Sequence, residues 1–183
     1  MAKLNKRKCA ECGVVFQKEA PLQNCCSIPC AVNRSYKLNK KKREKALNDE
    51  VNSMKESLMK RKDWVNLFQK VFNTYIRMRD KDLGCISCGR NNVEEFHAGH
   101  YIASTYQYHR FNEDNVHKQC SQCNTHLRGN LIPYRIELIK RIGLERVEYL
   151  ENTRHMMLEI TIPELKQLIT DYKLKIKQLK TKL

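Results

Sequence analysis

The sequence is poor in residues that interrupt helices. Its 183 positions include four prolines and six glycines, and none of these falls between Asn33 and Tyr75. No apolar run approaches the roughly 18 residues a membrane-spanning helix needs. The N-terminus, MAKLNKRKC, lacks the apolar stretch of a secretory signal. These absences predict a helix-rich chain in a reducing cytoplasm, with no membrane partner. Carboxylates are also scarce: 20 Asp and Glu face 35 Lys and Arg, for a formal charge of +15. A polyanionic partner is therefore expected, with nucleic acid first, because Lys and Arg displace the counterions condensed on phosphates. With 41% hydrophobic and 30% charged residues, small cores and long solvated faces are expected rather than one large enzyme core.

Cysteine, by contrast, is abundant, and eight of the nine fall into four close pairs. In a reducing compartment that spacing points to two four-ligand zinc sites rather than disulfides. The first is Cys9-x2-Cys12 with Cys26-x3-Cys30, where Cys25 is an adjacent alternative to Cys26. Beside it Val14, Val15 and Phe16 suit a short strand. The second is Cys85-x2-Cys88 with Cys120-x2-Cys123. Four segments follow: a zinc finger (1–33), a basic helix or linker (34–80), a zinc-stapled core (81–135) and C-terminal helices (136–183).

The Gly- and Pro-free stretch predicts one long helix from about Asn33 to Tyr75. It carries a narrow apolar stripe of Leu47, Val51, Met54, Leu58, Val65, Phe68 and Phe72, broken at Arg61. That stripe fits a homodimer seam, a docking face or plain intramolecular packing. The run Lys40, Lys41, Lys42 and Arg43 is either a solvated face or a track for a DNA backbone. Further on, Ile132, Ile136, Ile139 and Ile142 predict an amphipathic helix ending at Gly143, and a short helix is expected over 144–150. Thr161 and Glu164 form a capping-box signature. It opens a last helix with Leu165, Leu168, Ile169, Tyr172, Ile176, Leu179 and Leu183 on one stripe.

Between the second pair of cysteine motifs lies a polar insert, and His97, His100, Asn115, His117, Asn124 and His126 fall in or just after it. A hairpin is expected here, with a first strand from His97 to Ile102, a loop near Ser104–Tyr108 and a return over Phe111–His117. A short helix after Cys120 then completes a ββα unit. Phosphodiester hydrolysis needs an imidazole of near-neutral pKa to deprotonate water. It also needs positive charge beside the leaving oxygen. The histidines of the insert offer such an imidazole, and a divalent ion on His97, Asn124 and His126 suits the second task. Arg110 and Lys118 are placed to position flanking phosphates. His117 either bonds a zinc thiolate or reaches substrate, and His109 and His155 are expected in solvent. Tyr101, Tyr106 and Tyr108 either stack on unpaired bases or pack. A zinc deaminase is disfavoured, because it needs H-x-E before P-C-x-x-C, and here Gly99 and Gln119 occupy those positions.

The segments HAGHY, RFNEDNVHKQC, CNTHLRGN and PYRIELIKRIG resemble the NinG (Rap) recombination proteins of lambdoid phages, over nearly the whole chain. The resemblance implies an α+β, zinc-stapled fold with an HNH-type (ββα-metal) nuclease core, and an endonuclease acting on branched DNA such as four-way junctions and D-loops. It gives His100 the role of general base and Asn115 that of bracing the hairpin, and it sets Asn124 in the place of the last metal-binding histidine. Two structural Zn2+ and one catalytic Mg2+ or Mn2+ are the implied cofactors. The implied surroundings are the host cytoplasm and phage or host recombination proteins. Where the family pattern has an acid, this chain has His97, which moves the preference from Mg2+ toward Mn2+ or a softer ion. The competing reading is a zinc-finger DNA-binding accessory protein without catalysis.

Overall fold

The computed structural model describes residues 6–181, which divide into two compact units between Leu58 and Met59. The division falls inside the expected 34–80 segment, and its cause is local. The single helix expected through Tyr75 is two helices, α1 (Ile28–Leu58) and α2 (Arg61–Arg79). Lys60 between them is extended (φ −82, ψ 164), and the Asp63 carboxylate accepts its backbone N–H at 2.9 Å. Asp63 thus caps a new helix start, an arrangement that competes with continuing the old one.

In the first unit, β1 (Lys6–Lys8) pairs antiparallel with β2 (Val15–Gln17), Lys8 opposite Val15. The turn between them carries Cys9 and Cys12 and closes at Gly13, whose φ of +78 suits a residue without a Cβ. Helix α1 starts just after Ser27, whose hydroxyl accepts the Cys30 N–H at 3.4 Å. It runs for 31 residues and buries none of them. The expected stripe therefore splits: Leu47, Val51, Met54 and Leu58 are exposed, while Phe68 and Phe72 of α2 are buried.

The second unit has an ordinary core. Trp64, Phe68, Phe72 and Ile76 recur every fourth residue on α2. They pack against Leu165, Ile169 and Tyr172 of α5 (Ile162–Thr181) and against Ala98 and Val116 of the central hairpin. Each such side chain contributes roughly 1.5–3 kcal/mol on burial. The capping box is formed, with Thr161 N–H donating to Glu164 at 2.7 Å and Glu164 N–H to the Thr161 hydroxyl at 3.4 Å. Leu183 lies outside the described residues.

The hairpin is β3 (Phe96–His100) against β4 (Val116–Cys120), with Gly99 opposite His117. The return strand starts at Val116, later than Phe111; just before it, Asn115 accepts the Tyr101 N–H through its carbonyl at 2.9 Å while its side chain holds the loop. All five residues of β4 are buried. Gly99 is required where it stands, since a Cβ there would come within 2.1 Å of the Gln119 side chain. A second apolar cluster joins Ile86 to Tyr134 and Leu138 of α3 (Leu131–Ile142) and to Val147 and Leu150 of α4 (Leu144–Asn152). The face of α3 differs from the expected isoleucine stripe: Ile132 and Ile136 are exposed, and Tyr134 is fully buried with its hydroxyl on the Gly99 carbonyl at 2.9 Å. Among the described residues, no helix is long and apolar enough to cross a membrane.

Candidate metal centres and the histidine cleft

The eight paired cysteines gather as two groups of four, Cys9, Cys12, Cys26 and Cys30, and Cys85, Cys88, Cys120 and Cys123. Within each group all Sγ atoms lie within 4.8 Å of one another. Individual separations are 3.6 Å (Cys12–Cys26), 3.7 Å (Cys26–Cys30) and 3.8 Å (Cys88–Cys120). Sulfurs about 2.3 Å from one tetrahedral zinc lie about 3.8 Å apart, so both groups fit that ion. Cys26 rather than Cys25 joins the first group; Cys25 is buried beside it, and burial raises its thiol pKa. Backbone N–H groups of Cys12 and Cys26 bring Cys9 down to about 5, while the crowding thiols, Cys12 first, push Cys26 up to about 12. A divalent cation relieves that mutual repulsion. In the second group burial raises Cys88, but hydrogen bonds from Arg90, joined by those from Cys85 and Cys123, together outweigh it and bring the thiol down to about 6.

The second group staples both ends of the hairpin. Cys120 ends β4, and Cys123 lies in a π-helical turn, Gln122–His126, the helical part of the ββα outline. Asn124 follows Cys123 directly, so a metal ion held by the four cysteines would fix the asparagine as well. The Asn124 amide lies 3.0 Å from Nδ1 of His97, and His97 Nε2 lies 3.1 Å from the Glu95 carboxylate. The sequence pattern missed Glu95, although it places an acid two residues from the position where one was expected. His126 is exposed and is not brought to this group.

His100 lines an open cavity of about 960 Å³ together with Asn124 and Arg110. Its Nε2 lies 3.0 Å from the Arg110 carbonyl. A carbonyl only accepts, so Nε2 carries the hydrogen, and a second backbone acceptor, Ala98, also faces the ring. Burial, aided by the Arg110 charge, lowers the His100 pKa and keeps the ring neutral. Asn115 is fully buried. Its Oδ1 accepts the Ile102 N–H at 2.7 Å, and its Nδ2 donates to the carbonyls of Ile102 and His109 at 2.9 Å each. With those groups engaged inside the protein, Asn115 braces the loop and does not face the cavity.

Several expected placements are corrected. Lys118 is not a phosphate contact: it is buried, donates to the Lys81 carbonyl at 2.9 Å and lies 4.3 Å from the centre of the Phe96 ring. His117 reaches neither thiolate nor substrate cavity but packs against Tyr134, and burial, with the Arg79 charge, lowers its pKa to about 3. His109 is buried rather than solvated, bonded to the Thr153 hydroxyl at 2.8 Å and to Asn112 at 3.3 Å. His155 is exposed, as expected. Tyr101 packs on Tyr134 and bonds Glu151, while Tyr108 bonds Tyr149 at 3.0 Å. Tyr106 remains partly exposed at the cavity. In the first unit Lys40, Lys41, Lys42 and Arg43 are exposed on α1. Lys37 of the same helix is tied to Glu11, and Arg34 donates to the Ala10 carbonyl at 2.7 Å. The helix is thereby fastened to the cysteine knuckle. Arg128 and Arg154 line the cavity and were not anticipated, because they come from separate segments with no shared spacing.

Comparison with known proteins matches residues 1–182 to the family described as Bacteriophage Lambda NinG protein. Protein ninG of Escherichia phage lambda is 39% identical, covering 98% of this chain and 96% of the relative. Protein ninG of Salmonella phage P22 is 37% identical, covering 98% and 97%. Protein ninG of Escherichia phage 933W is also 37% identical, covering 98% and 96%. No solved structure matches.

Proposed function

The chain belongs to the NinG family of lambdoid phages, and on that premise we propose that it is a metal-dependent DNA endonuclease acting on branched recombination intermediates in the host cytoplasm. The observation that carries this reading is His100: an imidazole whose pKa burial lowers, oriented through Nε2 on the Arg110 carbonyl and lining an open cavity together with Asn124. That is the arrangement a general base needs to take a proton from water attacking a phosphodiester. Asn115 acts one step away as a positioning residue. It ties Ile102 to His109 and so holds the loop whose Arg110 carbonyl orients the His100 ring.

Glu95, His97 and Asn124 offer a carboxylate, an imidazole and an amide close together, a donor set compatible with Mg2+ or Mn2+. Such an ion, when bound, supplies charge stabilisation at the leaving oxygen. The exposed Lys40–Arg43 run of α1 supplies affinity without sequence preference.

The test is cleavage of duplex, flap, D-loop and four-way junction DNA with Mg2+ or Mn2+. His100→Ala is expected to lower the rate by about 10²-fold or more while leaving binding within a few-fold. The acid limb of the rate profile should lie below the ordinary histidine range, since a lowered pKa keeps the base neutral to lower pH. Parental binding without cleavage of any substrate would favour the accessory-protein reading, and undiminished cleavage by His100→Ala would remove His100 as the base.

A further inference from the structure

We infer that Arg110, Arg128 and Arg154 form a phosphate-binding site in the His100 cavity, with a phosphodiester of DNA as its ligand. Each comes from a different segment: Arg110 from the loop before β4, Arg128 from the turn after the π-helical residues, and Arg154 from the connection between α4 and α5.

Positive charge outnumbers negative in the cavity. Among the described residues lining it, Glu151 is the one carboxylate. Glu151 is already committed, accepting from Arg135 Nε at 2.7 Å, from Arg135 Nη2 at 3.1 Å and from the Tyr101 hydroxyl. Three guanidinium groups therefore share one cavity with a single carboxylate, which is hydrogen-bonded elsewhere and interacts only through its charge with Arg154, and an anion is the natural complement.

Two of the three are also aimed without being used up. Arg110 donates through Nε to Gln69 at 2.8 Å, and Arg154 donates through Nε to His155 at 3.0 Å. Neither partner is a carboxylate, so each contact orients the planar group and leaves its terminal nitrogens for the fork-like pairing that suits phosphate oxygens. Arg128 stands on a left-handed backbone, φ +49, at the cavity rim. Gly129 beside it is held by Gln119, whose amide donates to the Gly129 carbonyl at 2.5 Å. The turn presenting Arg128 is thus built into the hairpin's buried polar network.

The proposal rests on the nuclease reading for the identity of the phosphodiester, but anion binding can be measured without cleavage. The experiment follows the His100 ring resonance of the full chain with zinc bound, assigned by its loss in His100→Gln. It is titrated with inorganic phosphate and, separately, with a short thymidine oligonucleotide in the absence of Mg2+. The oligonucleotide is expected to shift the resonance, and Arg128→Gln and Arg154→Gln each to weaken that binding by at least about fivefold. Each is also expected to flatten the dependence of log affinity on log salt by about 0.7, the contribution of one single-strand phosphate contact. Arg128→Lys and Arg154→Lys, which keep the charge, should recover part of the loss and so separate charge removal from misfolding. A resonance unmoved by the oligonucleotide, a response to inorganic phosphate alone, or glutamine variants that bind like the parent would each overturn the site. A shifting resonance in a protein that cuts no DNA would leave the site standing and sink the nuclease reading instead.

Discussion

The two cysteine clusters share a ligand count and differ in almost everything around them. In the first, Cys9 is buried but Cys12 is exposed and Cys26 and Cys30 are half-buried, and the helix that follows buries no residue at all. In the second, Cys85, Cys120 and Cys123 are buried against Val93 and Phe96, inside a unit that has two apolar clusters of its own. The same chemistry therefore does two jobs. Where there is no hydrophobic core the metal site is the core, as expected for a segment too short to bury one. Where a core exists, a metal on the cysteines would instead set the position of particular residues, Asn124 above all.

The sharpest way to break this comparison is to remove the metal. A chelator is expected to unfold the β1–β2 knuckle outright, because apparent binding energies at structural zinc sites are about 10–16 kcal/mol. Meanwhile α2 and α5 should keep amide protection around Phe68 and Leu165. Hydrogen exchange reads both regions in one experiment, and equal loss of protection would show that the second unit depends on metal as fully as the first. Metal analysis of the untreated chain should find about two zinc ions.

Smaller in effect is a pair of truncations. Phe72→Ala should cost about 3–5 kcal/mol in the second unit, whereas Met54→Ala on the exposed face of α1 should stay within about 0.5 kcal/mol. Thermal melts of each variant decide it, and a large loss at Met54 would reveal a partner for that face, such as a second copy of the chain.

The most local test uses pH. The His117 pKa of about 3 lies below the ordinary value near 6.5, so the unfolded chain takes up the proton first as pH falls. The stability tied to a neutral His117 is fully present above about pH 6.5. It is lost as pH falls from there toward 3, at up to about 1.4 kcal/mol per pH unit. His117→Gln should flatten this slope relative to the parent, while acid release of zinc is common to both. Parallel slopes would mean that His117 does not titrate in that window.

The features that were legible in the sequence are those whose cause is local. CxxC spacing located both metal groups, Thr161 and Glu164 marked a helix start, and the lack of Gly and Pro marked helical chain. The break at Lys60 was not legible, because it depends on one carboxylate, Asp63, competing for a backbone N–H inside otherwise uninterrupted helical sequence. The polar residues of β4 misled for a different reason. VHKQC reads as a half-exposed strand, yet every residue is buried, and tertiary partners take most of its polar groups, His117 Nδ1 and Gln119 Oε1 having none among the described residues. Asp80 takes the Lys118 N–H at 2.9 Å, Lys81 takes its ammonium, and Ser87 and Gly129 take the Gln119 amide. None of those partners can be paired with β4 by spacing. The candidate site was legible in the same partial way: His97, His100 and Asn124 were placed by motif, whereas Glu95, Arg128 and Arg154 join them only through the fold.

The grip of Asn115 on Ile102 has a consequence for how this loop can change. Because one buried side chain closes the excursion between them, the chain inside it is a tethered loop whose closure cost rises only slowly, by about 0.6 kcal/mol for each doubling of length. The His100 ring takes its bearing from Arg110, on the far side of the turn closed by the Tyr106 N–H on the Ala103 carbonyl at 2.9 Å. That turn is where an inserted segment or a spectroscopic label can enter at little entropic cost, leaving the imidazole in register.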